Sequence, residues 1–244
     1  MDTTIQKMDN TIQDTKIDEL SLDIIELVSK YPFETFTVDK IKELISKHAD
    51  TSYATVYRKV ESLVEQHILN KSMYGMASQI KINLDNEKTI SLLSLIEANK
   101  LEKFFKKLKG NLSISVNEII KDTSELSDVK CVFIFGSYAN GTQTKESDLD
   151  IFVIEEPSKE VTKEHYVAYL KAIRSSMIGI LRTSELRGGP KINPIIVTSS
   201  EHKEMILNKE VNVAKETLLN HIILKGFSEY WREIANCQKN VIKS

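Results

Sequence analysis

The chain has 244 residues, 41% of them hydrophobic, and a formal net charge of −2. That length accommodates two ordinary domains, the charge gives no overall electrostatic bias, and no run of about eighteen apolar residues is present to span a membrane. With no n-region and h-region of a signal sequence, and only Cys131 and Cys237 to build a disulfide framework or zinc site, a cytoplasmic protein is expected.

Residues 1–16 are polar and weakly patterned, as in a flexible arm. From Ile17 the apolar spacing becomes helical through Leu20, Ile24, Ile25 and Val28, and Tyr31-Pro32 ends it. Thr37 is placed to cap a second helix carrying Val38, Ile41, Leu44 and Ile45. A third helix carries Tyr53, Val56, Tyr57, Val60, Leu63 and Val64 on its apolar face. Two strand-like pieces, 68–73 and 79–84, follow around Gly75. Three helices closed by a hairpin resemble a winged helix-turn-helix domain over 17–87. That resemblance implies a third helix laid in the major groove of double-stranded DNA, with Ser52, Tyr53, Thr55, Arg58 and Lys59 on the contacting face. Acidic side chains on the segment nearly balance its basic ones, so phosphate neutralisation alone gives little non-specific affinity.

Residues 88–110 read as an amphipathic connector helix with Lys103, Lys106, Lys107 and Lys109 crowding its end, able to pack on the following domain or on a second copy in a homodimer. The segment 111–244 alternates helix and strand. Helices are expected at 112–126, 161–182, 200–208 and 211–224, and strands at 130–135, 148–154 and 194–198. In the helix at 161–182, Tyr166, Tyr169, Leu170, Ile173, Met177 and Leu181 are expected to face inward. The fold class is α+β, with a small mixed β-sheet flanked by helices. The five histidines, His48, His67, His165, His202 and His221, are dispersed and form no ligand pair.

The chemistry concentrates in Phe133-Ile134-Phe135-Gly136-Ser137-Tyr138-Ala139-Asn140-Gly141 and in Ser147-Asp148-Leu149-Asp150-Ile151-Phe152-Val153. A strand runs into a Gly-Ser turn, and a second strand opens with two carboxylates one residue apart. Alternation points Asp148 and Asp150 to one side. Two like charges there cost stability without a cation between them, and hard oxygen ligands suit Mg²⁺ completed by water and substrate phosphates. The Gly-Ser turn offers backbone N–H groups to an anion.

This pattern resembles the signature of the DNA polymerase β-like nucleotidyltransferase superfamily, in its minimal prokaryotic branch, over about residues 112–232. The resemblance implies that Gly136 and Ser137 hold an NTP, with Gly141, Lys145 and Ser147 around it. Asp148 and Asp150 would be catalytic and would bind two Mg²⁺ ions. Ser147 is expected mainly to orient the strand entry.

Two residues depart from the family pattern. The family's third carboxylate falls at Asn193, an amide that can ligate Mg²⁺ but cannot act as a base; Glu185, in the preceding loop, is within possible reach. Asn140 stands where relatives are often basic, with Lys145 as a substitute. The sequence is compatible with three functions. The first is Mg²⁺-dependent transfer of a nucleoside monophosphate to a hydroxyl acceptor by a DNA-binding protein. The others are a regulator that senses nucleotide without turnover and an antitoxin-like partner that modifies or binds a second protein.

Overall fold

The computed structural model describes residues 17–47, 50–157, 161, 162 and 164–241; the expected arm at 1–16 lies outside them. The chain forms two units, Met1–Ile96 with Ile234–Ser244, and Glu97–Glu233. The stretch expected at 111–244 is thus divided at its end, and the connector expected at 88–110 is shared.

In the first unit, α1 (Glu19–Ser29) starts at Asp18, whose carboxylate accepts the Ser21 N–H, and buries Ile24, Ile25 and Val28. Thr37 caps α2 (Val38–Ile45), as expected. Ser52 caps α3 (Tyr53–Glu65), whose buried Val56, Val60 and Leu63 recur at helical spacing. Tyr53 and Tyr57 do not join that buried face. They are exposed and stack on each other with centroids 6.2 Å apart. Strands β1 (Leu69–Tyr74) and β2 (Ala77–Ile82) pair antiparallel around Gly75, and Phe36 exchanges two 2.8 Å backbone hydrogen bonds with Ile80. Two helices, α4 (Glu87–Lys107) and, at the end of the chain, α10 (Phe227–Val241), carry the backbone across the division.

The second unit continues with α5 (Asn111–Ser124), β3 (Val129–Ile134), α6 (Gly136–Asn140), β4 (Leu149–Glu155), α7 (Tyr166–Leu186), β5 (Ile192–Thr198), α8 (Ser199–Leu207), α9 (Val213–Leu219) and β6 (Ile222–Lys225). Its sheet has the order β5-β4-β3-β6, mixed as expected: β4 and β5 are parallel and the other pairs antiparallel. On one face, Val132, Ile134, Ile151 and Val153 share a core with Val116 and Ile119 of α5 and Met177 and Leu181 of α7. On the other, Phe133 stacks on Phe152 at 5.0 Å, with Tyr230 and His202 set edge-on. Covering both faces explains why β3 and β4 read as nearly continuous apolar runs. Each fully buried Val, Ile or Phe contributes about 1.5–3 kcal/mol.

Three expectations are corrected. Helix α7 begins at Tyr166 rather than Val161 and runs on to Leu186, because a turn in which Thr162 Oγ1 lies 2.9 Å from His165 Nδ1 precedes it. Tyr166 is exposed rather than inward. The helix expected over 211–224 stops at Leu219, and Ile222–Lys225 becomes a strand on the edge of β3. A short apolar run fits either element by pattern alone, and the unpaired edge of β3 decides it. Beyond it, α10, which the sequence pattern does not predict, buries Tyr230 and Trp231. No described helix is long and apolar enough to cross a membrane.

Candidate nucleotide and metal site

Strand β3 delivers the chain to Gly136 beside β4, where the Phe135 N–H donates to the Asp150 carbonyl at 3.0 Å. Gly136 adopts φ +66°, and a Cβ there would collide with Asp150 Oδ2. Its glycine is therefore required by the close passage of the turn over Asp150, besides any approach to phosphate. The Ser137 carbonyl accepts from the N–H groups of Gly141 and Thr142, closing the short α6. The Ser137 side chain is half-buried, and its hydroxyl has no hydrogen-bond partner among the described residues.

The two aspartates are placed by β5. Asp150 lies in register with Asn193, whose side-chain N–H donates to Asp150 Oδ1 at 3.0 Å. One step back, the Leu149 N–H donates to the Lys191 carbonyl, and Lys191 Nζ donates to Asp148 Oδ2 at 2.8 Å. Alternate strand residues share a face, so Asp148, Asp150, Lys191 and Asn193 stand together on one side of the β4–β5 pair. Asp148 is the last residue before β4 rather than its first. The hydrogen bond and the charge of Asp148 raise the Lys191 ammonium above its ordinary range. Both partners are well exposed, so the ion pair contributes under about 1 kcal/mol. Lys191 is the site residue that sequence reasoning passed over; its only signal was the i, i+2 spacing to Asn193.

Glu185 sits in the last turn of α7, not in a loop, and its Oε1 accepts the Ile192 N–H at 2.5 Å. It is thereby committed to the start of β5. Among the described residues no group of three or more His, Cys, Asp or Glu could hold a metal ion. The donor set at hand is two carboxylates and the Asn193 amide oxygen, all hard oxygens. That set fits a Mg²⁺ ion that keeps water and phosphate ligands.

The other expected nucleotide contacts divide. The Ser147 hydroxyl accepts the Thr144 N–H at 2.9 Å and so orders the approach to β4. Gly141 and Lys145 line a cleft of about 690 Å³ with Lys100, Lys103, Phe104 and Lys107; neither Ser137 nor the aspartates belong to its walls.

On the first unit, the residues expected to face DNA also divide. Arg58 is exposed, its Nε donating to the Ala54 carbonyl at 3.2 Å. Ser52 and Thr55 pair through their hydroxyls at 2.9 Å. Lys59 is drawn instead into an ion pair with Asp18 at 2.6 Å. Burial alone would raise the Asp18 carboxyl, but its bonds from Lys59 and Ser21 prevail and hold it at about 2.

The family model described as "Nucleotidyltransferase domain" matches residues 116–179. The match runs from α5 through β3, α6 and β4 into α7, and contains Gly136, Ser137, Asp148 and Asp150. It supports the nucleotidyltransferase superfamily for this segment and nucleotidyl transfer as its general chemistry. Lys191 and Asn193 lie beyond it. No curated protein and no solved structure matches the chain.

Proposed function

We propose that the second unit transfers a nucleoside monophosphate from an NTP to a hydroxyl acceptor with Mg²⁺. In the same reading the first unit is a winged helix-turn-helix that binds double-stranded DNA, and the protein works in the cytoplasm. One observation carries the transferase reading. Asp148, just before β4, and Asp150, on it, stand on the same side of the β4–β5 pair, with Asp150 packed against the Gly136-Ser137 turn, inside the segment that matches the nucleotidyltransferase domain.

The acceptor oxygen attacks the α-phosphorus, the bond to the bridging oxygen breaks, and pyrophosphate leaves with its electron pair. Asp148 and Asp150 would hold the metal, and the Asn193 carbonyl oxygen can add a neutral ligand. Bound Mg²⁺ would neutralise charge on the entering and leaving oxygens. The unpartnered Ser137 hydroxyl and the amides beside it are available to the phosphates. Asn193 cannot take the acceptor proton, so that proton passes to solvent at this exposed edge.

The test incubates the 244-residue chain with each α-³²P-NTP, Mg²⁺ or Mn²⁺, and a cell extract. Label transfer is expected in the wild type and should be lost in Asp148→Asn at unchanged circular dichroism. Equal labelling in the variant, or none in the wild type with any NTP, refutes the assignment.

A second reading has a specific observation behind it. The Asn193 amide bonded to Asp150 leaves the site without a third carboxylate, which suits a DNA-binding regulator that senses nucleotide without turnover. Mg²⁺-dependent nucleotide binding that alters DNA affinity, without any labelled product, would favour it.

A further inference from the structure

We propose that Lys191 stands in place of one of the two divalent ions, so that this site holds a single Mg²⁺ per bound nucleotide. The inference rests on the nucleotidyl-transfer reading and deepens it.

The charges on this side of the β4–β5 pair are unbalanced by one lysine. Asp148 and Asp150 bring two negative charges, and Asn193, in register with Asp150, brings none. Glu185, the other candidate for a third carboxylate, is turned onto the Ile192 N–H and acts on Lys191 only through its charge. Lys191 adds a positive charge with its Nζ 2.8 Å from Asp148.

That position does not depend on a chance side-chain pose. The Leu149 N–H bonded to the Lys191 carbonyl sets Lys191 beside Asp148 in the ladder, and alternation points it to the same side as Asn193. Asp148, Asp150 and Lys191 together therefore carry one net negative charge. An ion shared with a triphosphate needs only one or two carboxylates from the protein. An ion at the attacking oxygen has protein carboxylates as its main anchor. Here it would compete with an ammonium already seated on Asp148 and would find an amide where its third carboxylate belongs. A lysine covalently tied to the strand supplies positive charge at that spot with no binding step, and its ammonium can stabilise the developing negative charge on the acceptor oxygen.

The experiment counts ions rather than turnover. The chain is saturated with the α,β-methylene analogue of ATP, and in parallel runs with those of GTP, CTP and UTP, and titrated with Mn²⁺. Free Mn²⁺ is followed by its electron paramagnetic resonance signal. The wild type is expected to bind one Mn²⁺ per protein–nucleotide complex. The double variant Lys191→Ala/Asn193→Asp is expected to bind two, with the second at least tenfold tighter than any second ion in the wild type. Lys191→Gln, which removes the charge and shortens the side chain by one atom while staying polar, should show an intermediate gain. Both positions are exposed, so folding is not at risk.

Two ions in the wild type, or one in the double variant, overturns the inference while leaving the transferase reading intact. A wild type that retains neither analogue nor Mn²⁺ sinks that reading itself, and the inference with it.

Discussion

Replacing Gly136 by Ala tests whether the turn is built around Asp150. At φ +66° an L-residue is strained by about 1–2 kcal/mol. The new Cβ would also overlap Asp150 Oδ2, so the carboxylate must swing away and give up its 3.0 Å bond from Asn193. Losing that bond adds about 0.5–1.5 kcal/mol, and together the two effects come to about 1.5–3.5 kcal/mol.

Gly141, which caps the end of α6, is an internal control. It also has positive φ, +70°, but a Cβ there meets nothing within 4 Å. Gly141→Ala should cost only the backbone strain, about 1–2 kcal/mol. Urea titrations would measure both losses, and a fluorescent nucleotide analogue with Mg²⁺ would report binding. Gly136→Ala is expected to weaken nucleotide binding more than tenfold, and Gly141→Ala to leave it within threefold. Equal stability losses, or wild-type binding by Gly136→Ala, would show that the crowding at Asp150 has no functional consequence.

Three further outcomes follow from particular groups. Arg174 bonds the fully buried Glu155 at 2.7 Å and Glu201 at 3.1 Å. Arg174→Ala should cost about 3–5 kcal/mol at neutral pH by leaving Glu155 charged and unpaired. Burial already raises the Glu155 carboxyl, so the loss should shrink as the pH falls and that group protonates, which chemical denaturation at several pH values would show. Burial holds His202 at about 4, below its ordinary 6.5, so the unfolded chain takes up the proton first. Stability is then complete above pH 6.5 and declines as the pH falls towards 4, by up to about 3 kcal/mol, a slope that His202→Phe should flatten. For the first unit, Arg58→Ala should weaken binding to selected double-stranded DNA at least fivefold in a fluorescence anisotropy assay. Lys59→Ala, whose ammonium is taken by Asp18, should change it less than twofold; the reverse order would remove the exposed face of α3 from the interface.

Much of the candidate site is legible in the sequence because its signals are local. An apolar β-branched run, a Gly-Ser turn and a carboxylate pair at i, i+2 each depend on neighbours a few residues apart, and strand alternation alone put Asp148 and Asp150 on one side. The caps at Thr37 and Ser147 belong to the same class, since a hydroxyl and an N–H three residues away are neighbours in any such turn.

The rest was settled by residues distant in sequence. Asp148 and Lys191 are 43 positions apart, as are Asp150 and Asn193, and only the parallel pairing of β4 with β5 brings each pair together. The same holds for Ile222–Lys225, a helix by pattern and a strand because β3 had an edge to fill. Lys59, basic and on the expected face, pairs with the carboxylate that caps α1. Periodicity records which side of its own element a residue occupies. What lies opposite is decided by packing, and the charge balance of this site was decided there.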